Sequence, residues 1–281
     1  MIVTVVQMHS TPNVEANIKT AHELMARAVR DHRSDWILLP EQFQWAGGAD
    51  SDKHLSAEVL GEGPAYIMCR DFARAHKIFV HAGSIFEHIL GDERIYNTSV
   101  AFNRDGDELA RYRKIHLFDI TGPDGTGFCE SDAVTSGDEV VVYEADGLKV
   151  GCAICYDLRF PELFQALAKK GAQLIALPAA FTQLTGQAHW EPLIRARAIE
   201  TQTYIAAAGS CGENEQGVAG RRTYGHSMLV DSWGQVADVL PDGEGFVSCE
   251  LDLHLLQRVR RDMPLAGHRR RALYGEWLRD E

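Results

Sequence analysis

The chain has 281 residues, 45% of them hydrophobic and 24% charged, which allows a sizeable core and excludes global disorder. Forty acidic residues against 28 basic ones give a formal charge of −12, so binding along a phosphate backbone, which needs clustered Lys and Arg, is excluded. No apolar run approaches the roughly 18 residues that suggest a membrane-spanning helix.

In chain order, Ile2–Met8 is a short alternating apolar run with no basic leader and no small-residue cleavage site. It is expected to be a first strand and not a signal peptide. Val14–His32 places Ile18, Ala21, Leu24, Met25, Ala28 and Val29 on one helical face, with Asn13 as its N-cap. Trp36–Pro40 is wholly apolar, as expected of a strand covered on both faces. Pro64–His76 reads as a helix with proline near its first position. Strands follow at Ile78–Phe86, Tyr96–Asn103 and Leu109–Ile115, the last two separated by the turn Arg104-Asp-Gly106.

The second half repeats the rhythm. Leu148–Ile154 is a strand, Pro161–Lys170 a helix closed by Gly171, and Ala172–Pro178 an apolar strand. Trp190–Gln202 is a helix and Tyr204–Ala208 a buried strand. Met228–Val230, Val236–Leu240 and Gly245–Leu251 complete the strands, and Leu253–Arg261 is a final helix. No linker, low-complexity stretch or short repeat divides the chain, so one α/β domain over residues 1–281 is expected. Two sheets packed together, with helices outside, suit this rhythm.

Six scattered cysteines (Cys69, Cys129, Cys152, Cys155, Cys211 and Cys249) in a chain of this size suggest reduced thiols in the cytoplasm rather than a disulfide scaffold. Basic residues cluster near the C-terminus at Arg258, Arg260, Arg261 and Arg269 to Arg271. They are expected to form a solvated or subunit-contacting face.

Three positions can carry chemistry. Glu41 follows an apolar strand directly, at the edge where open α/β sheets bind ligands; taken alone, an exposed turn glutamate is the simpler reading. Lys114, in Arg111-Tyr-Arg-Lys-Ile-His116, can be a fixed cationic donor or can merely bury its stem beside apolar neighbours. Cys155 lies where the small-residue strand Val150-Gly-Cys-Ala-Ile meets Tyr156-Asp-Leu-Arg-Phe-Pro161, which opens a helix. A nucleophile at such a turn is exposed, the next backbone N–H can face an oxyanion, and the helix start favours thiolate. A small buried core thiol is an equal alternative. Cys152 and Cys155 form a CxxC, but residues three apart on a strand diverge. No second CxxC or histidine pair completes a zinc site either, so redox and metal roles are disfavoured and no metal is expected.

Together these segments resemble the nitrilase, or carbon–nitrogen hydrolase, superfamily. Its three signatures occur in order as Leu38-Leu-Pro-Glu41, Tyr112-Arg-Lys114-Ile-His-Leu-Phe-Asp and Gly151-Cys-Ala-Ile-Cys155-Tyr-Asp-Leu-Arg-Phe-Pro-Glu. The resemblance implies a four-layer α-β-β-α sandwich, dimerised through helices, with Glu41 as general base, Lys114 as cationic oxyanion donor and Cys155 as nucleophile. It also matches Glu130 to a second glutamate beside the lysine, although the glycine-rich segment Thr121-Gly-Pro-Asp-Gly-Thr-Gly127 before it resists alignment. The family's reaction needs no cofactor and no histidine. A lysine between two carboxylates should stay protonated, and so serve as donor rather than base.

Within the superfamily, Thr185-Gly-Gln-Ala-His-Trp-Glu191, Arg195-Ala-Arg-Ala-Ile-Glu-Thr-Gln202 and Tyr224-Gly-His-Ser-Met228 resemble the amidase branch that hydrolyses deaminated glutathione. Nitrilases proper place Trp-Glu after the nucleophile, whereas this chain has Tyr156-Asp157. The resemblance implies a 2-oxo acid amide as substrate, cleaved to 2-oxoglutarate and an amine such as cysteinylglycine. Tyr156 and Arg159 are candidate substrate contacts, with Arg221 and Arg222 nearby on a polar loop. Arg159 can equally pair with Asp157 or Glu162 to hold the turn, while Arg195 and Arg197 suit interface or ion-pair roles. The alternatives are an ω-amidase acting on 2-oxoglutaramate and a non-catalytic interaction protein. The expected partners are a small-molecule amide and further copies of the chain, without nucleic acid or membrane.

Overall fold

The computed structural model describes residues 1–47, 52–122, 125–213 and 222–274. Arg221, and Pro123 and Asp124 of the glycine-rich segment, lie outside the described residues.

Alternation along the first strands sets the architecture. On Ile2–Gln7 and Trp36–Leu38, Val3, Val5, Trp36 and Leu38 join the core between the sheets. Val6, Ile37 and Leu39 point the other way, onto Met25 and Ala28 of helix Val14–His32 and Phe72 of helix Pro64–His76. Period-two strands with both faces apolar have to be covered twice. The second sheet is covered likewise, with Leu163, Phe164, Trp190 and Ile194 of helices Pro161–Lys169 and Gln183–Thr201 packed on it. The layers are therefore helix, sheet, sheet, helix.

The first sheet runs Gly245–Glu250, Ile2–Gln7, Trp36–Leu38, Phe79–His81, Ile95–Phe102, Ile85–His88, with Glu108–Arg113 also paired to Ile95–Phe102. The second runs Val236–Val239, Met228–Val230, Tyr204–Gly209, Leu174–Ala179, Leu148–Cys152, Val142–Ala145. Both are mixed: Leu148–Cys152, Leu174–Ala179 and Tyr204–Gly209 are parallel, and Met228–Val230 antiparallel. A polar bridge joins the sheets, in which the Tyr143 hydroxyl accepts from Trp36 Nε1 at 3.0 Å and lies 3.1 Å from His81 Nδ1. Burial alone pushes His81 down to about 3, so it is neutral.

Most elements lie where the pattern puts them, including helix Val14–His32, whose first turn Asn13 Oδ1 caps by accepting from Ala16 N at 3.0 Å. Four departures have physical causes. The run expected as one strand over Ile78–Phe86 is two, Phe79–His81 and Ile85–His88, broken where Gly83 turns at φ +48° against the Pro40 carbonyl. The helix expected from Trp190 begins at Gln183, capped by Thr182, and its Gly186 fits because Tyr224 packs against the bare Cα. Hairpins at Asp119–Thr121/Gly127–Cys129 and Cys211–Glu213/Arg222–Tyr224 carry no apolar alternation to reveal them. The C-terminal arginines are only partly a solvated face. Arg260 donates to the carbonyls of Gln202 (3.0 Å) and Ala172 (2.7 Å), and Arg269 to that of Glu200 (3.0 Å), because helix ends leave carbonyls unpaired.

Among the described residues no helix is long and apolar enough to cross a membrane.

Candidate active site

Glu41 leaves the Trp36–Leu38 strand at its C-terminal end and is 2% exposed. The turn is fixed from below by Gly83, whose backbone occupies the space a Cβ would need, and from the side by Ser210 Oγ, which donates to the Glu41 carbonyl at 3.0 Å. The carboxylate accepts from Lys114 Nζ (3.0 Å) and Asn97 Nδ2 (2.9 Å) on Oε1, and from Ala180 N (2.8 Å) on Oε2. The turn glutamate is buried and held by three donors.

Lys114 follows the Glu108–Arg113 strand, with its N–H on the Asn97 carbonyl at 2.9 Å. Its ammonium is 2% exposed and reaches both oxygens of Glu130, at 3.1 and 2.8 Å, besides Glu41. Burial alone would lower its pKa, but the charges of Glu130, Glu41 and Cys155 outweigh that and hold it well above the ordinary lysine value. Glu130 answers it. Burial would raise this carboxyl, yet Lys114, with donors from Phe118 N at 2.7 Å and Asn97 Nδ2 at 3.3 Å, brings it below its ordinary value. The site therefore holds a permanent cation.

Cys155 opens a single 3-10 turn, Cys155–Arg159, with φ +46°, a left-handed value that non-glycine residues adopt under strain. Asp157, fully buried, holds that turn. Its carboxylate accepts from Ile154 N (2.8 Å) and Tyr112 Oη (2.6 Å) on Oδ2. Oδ1 accepts from His116 N (3.1 Å) and lies 2.7 Å from His116 Nδ1. Asp157 thus ties the cysteine turn to the strand end that carries Lys114. The expectation that a helix start favours the thiolate is corrected here. Burial, followed by the charge and hydrogen bond of Glu41, pushes the thiol well above its ordinary value, and Lys114 and the Ala180 N–H only partly oppose it. The element after Cys155 is one 3-10 turn, too short to reverse this, so the resting group is a thiol that needs a base.

The family model for carbon-nitrogen hydrolases matches residues 2–261. The chain belongs to that family. It is 40% identical over 279 residues to the deaminated glutathione amidase of Homo sapiens, covering 98% of this chain and 84% of the relative. It is 36% identical over 271 residues to an omega-amidase of Xenopus laevis, covering 96% and 95%. The crystal structure of the C. elegans NitFhit protein superposes with a TM-score of 0.90 at 35% identity, over 97% of this chain and 66% of that longer one. An amidase from Nesterenkonia sp. AN1, in a structure showing addition of acrylamide at the active site cysteine, gives 0.79 at 26% identity over 99% and 98%. The chain is thus a nitrilase-superfamily amidase with an active-site cysteine, acting on a small-molecule amide.

In this carbon-nitrogen hydrolase, a cavity of about 570 Å³ opens over Glu41, Lys114, Glu130 and Cys155. Phe118, Tyr156 and Phe181 give it an aromatic wall. Arg159 also lines it, with its guanidinium over the Tyr156 and Phe181 rings at 5.7 and 5.4 Å and Nη1 3.2 Å from His189 Nδ1. The pairing of Arg159 with Asp157 is not made, because Asp157 is already occupied by Tyr112, His116 and Ile154. Arg222 reaches the cavity from the hairpin beyond and pairs with Asp242 at 3.3 Å. Arg197 is an ion-pair residue as expected, on Glu200 at 3.0 Å, and it also donates to the Leu158 carbonyl behind the cysteine turn. All six cysteines are free, and among the described residues no group of three or more His, Cys, Asp or Glu can hold a metal ion. Asn97 and Asp157 escaped sequence reasoning as site residues. A polar residue on a buried strand and an acid after the cysteine carry no pattern that separates them from ordinary ones.

Proposed function

We propose that this hydrolase cleaves deaminated glutathione to 2-oxoglutarate and cysteinylglycine through a Cys155 thioester. The observation that carries this is the half-buried Arg159 on an aromatic wall beside Glu41, Lys114, Glu130 and Cys155, in a cavity of about 570 Å³. Arginine offers a fork that fits a carboxylate, here that of the 2-oxo acid, and Tyr156 flanks the acyl chain. The 40% identity to the human deaminated glutathione amidase supports the same substrate.

In the first step Glu41 takes the Cys155 proton as sulfur attacks the amide carbon, and the carbonyl electrons move to oxygen. The Lys114 ammonium and the Tyr156 backbone N–H stabilise that oxyanion. As the oxyanion collapses, the C–N bond breaks and Glu41 delivers its proton to the leaving nitrogen. Glu41 then takes a proton from water, hydroxide attacks the thioester, and the second oxyanion expels the sulfur, which takes that proton from Glu41 and restores the resting pair. Glu130 keeps Lys114 charged and in place throughout.

A direct comparison of purified enzyme on deaminated glutathione and 2-oxoglutaramate tests the substrate. The expected result is a higher kcat/KM for deaminated glutathione, with turnover of both abolished by Cys155→Ala. Preference for 2-oxoglutaramate would replace the reading by an ω-amidase, and turnover surviving Cys155→Ala would remove the mechanism. The chain is further proposed to act as a single domain, in a reducing, cytoplasmic setting that six free thiols suit, and as a homo-oligomer.

A further inference from the structure

We propose that Asn97 is a positioning residue whose single amide group aligns both glutamates on Lys114 and dictates which oxygen of Glu41 acts as the base. Asn97 lies on strand Ile95–Phe102 and is fully buried. Its Nδ2 donates one hydrogen to Glu41 Oε1 at 2.9 Å and the other to Glu130 Oε1 at 3.3 Å, while its own carbonyl holds the Lys114 N–H. Its Oδ1 is buried with no hydrogen-bond partner among the described residues. An amide that leaves its oxygen unpaired in order to place its nitrogen between two carboxylates has its orientation set by those carboxylates, since the flipped form would put oxygen against oxygen.

The consequence is a count of lone pairs. A carboxylate oxygen accepts about two hydrogen bonds. Glu41 Oε1 already takes Lys114 and Asn97, whereas among the described residues Oε2 takes only Ala180 N. The Cys155 proton therefore passes to Oε2, and the S–H electron pair stays on sulfur. Without Asn97, Oε1 has an open site and the carboxylate can turn about its own axis. Glu130 Oε1 loses a donor in the same way, while Lys114 and Phe118 N still hold that carboxylate.

The inference rests on Glu41 as base and Cys155 as nucleophile, so its test begins by checking those roles without any substrate. The rate of Cys155 alkylation by iodoacetamide at fixed neutral pH, read site by site from peptide masses, is compared in wild type, Glu41→Gln, Asn97→Ser, Asn97→Ala and Asn97→Asp. Glu41→Gln should slow alkylation; if it does not, the base assignment fails and this inference fails with it. With Glu41→Gln slow, the expected order is wild type, then Asn97→Ser with one donor left, then Asn97→Ala, then Asn97→Asp. A mere space-filler would give the opposite order at the end, because aspartate matches asparagine in size and alanine does not. Asn97→Asp equal to or faster than Asn97→Ala, or all three like wild type, overturns the proposal while leaving the base assignment intact. Should Asn97→Asp not fold, Asn97→Ser faster than Asn97→Ala supports the proposal and equality overturns it. In turnover, the Asn97→Ala loss should lie in kcat, about 10²-fold for a misplaced catalytic group, with KM little changed; a loss confined to KM also overturns it.

Discussion

Lys114 keeps its charge on a nearly buried side chain only because two carboxylates stand within 3.1 Å of it. The lysine is raised above its ordinary value, so its contribution to stability is complete below about pH 10.4 and fades only as the pH rises through the higher folded value. Glu130 is lowered, so its contribution is present above about pH 4.3 and fades as the pH falls from there through the folded value. Glu130→Gln leaves Lys114 paired with Glu41 but takes a charged acceptor from Lys114 and Phe118 N, which should cost about 1.5–3 kcal/mol at neutral pH and flatten the loss of stability in acid. Melting temperatures measured from pH 3 to 8 check this, and equal acid slopes in both proteins would overturn it. At this scale the sequence was legible only as a set. Glu41, Lys114 and Cys155 each fit a bland reading alone, and the resemblance to the family singled them out together. The raised thiol and the role of Asn97 depend on burial and on neighbours distant in the chain.

Between residues and fold, the cysteine turn is a small machine part with its own support. Four contacts converge on Asp157, from the backbone before Cys155, from Tyr112 and from His116. Asp157→Asn keeps the size but turns an amide NH₂ toward donors, leaving at least one of them unpaired. The expected cost is about 1–3 kcal/mol for each buried group left unsatisfied, with kcat falling because Cys155 and Lys114 lose their common tether. Chemical denaturation and steady-state kinetics check both, and wild-type kcat in a destabilised variant would show that the tether serves folding alone. Elements with strong periodicity or a cap, such as Val14–His32 and Pro64–His76, were readable to the residue. The break at Gly83 was not, because its cause is the close approach of Pro40, two residues past the strand Trp36–Leu38. Nor was the first half of helix Gln183–Thr201, where Thr185-Gly-Gln has no apolar stripe and packing on Tyr224 replaces it.

At the scale of the molecule, the strand–helix rhythm disclosed two sheets with helices outside, but not their strand order, which depends on pairings between distant segments. Trp233 is 59% exposed and Ile199 is 42% exposed, where the turn at Gly234 packs on helix Gln183–Thr201. An exposed tryptophan beside an exposed isoleucine on the outer helix layer is the kind of surface a second copy can cover. Light scattering should give a mass of at least two 31.2 kDa chains, reduced by Trp233→Glu; a monomeric wild type would remove the homo-oligomer. The first sheet is closed by the chain's own late strand, since Ile2–Gln7 pairs with Gly245–Glu250. Glu41, Asn97, Lys114 and Glu130 leave the ribosome before Cys155 does, and Ala180, whose N–H holds Glu41, follows later still. A chain that stops before residue 180 lacks the N–H that holds Glu41, and one that stops before residue 245 lacks the strand that pairs with Ile2–Gln7. The first sheet can therefore pair fully only after Gly245–Glu250 has been made.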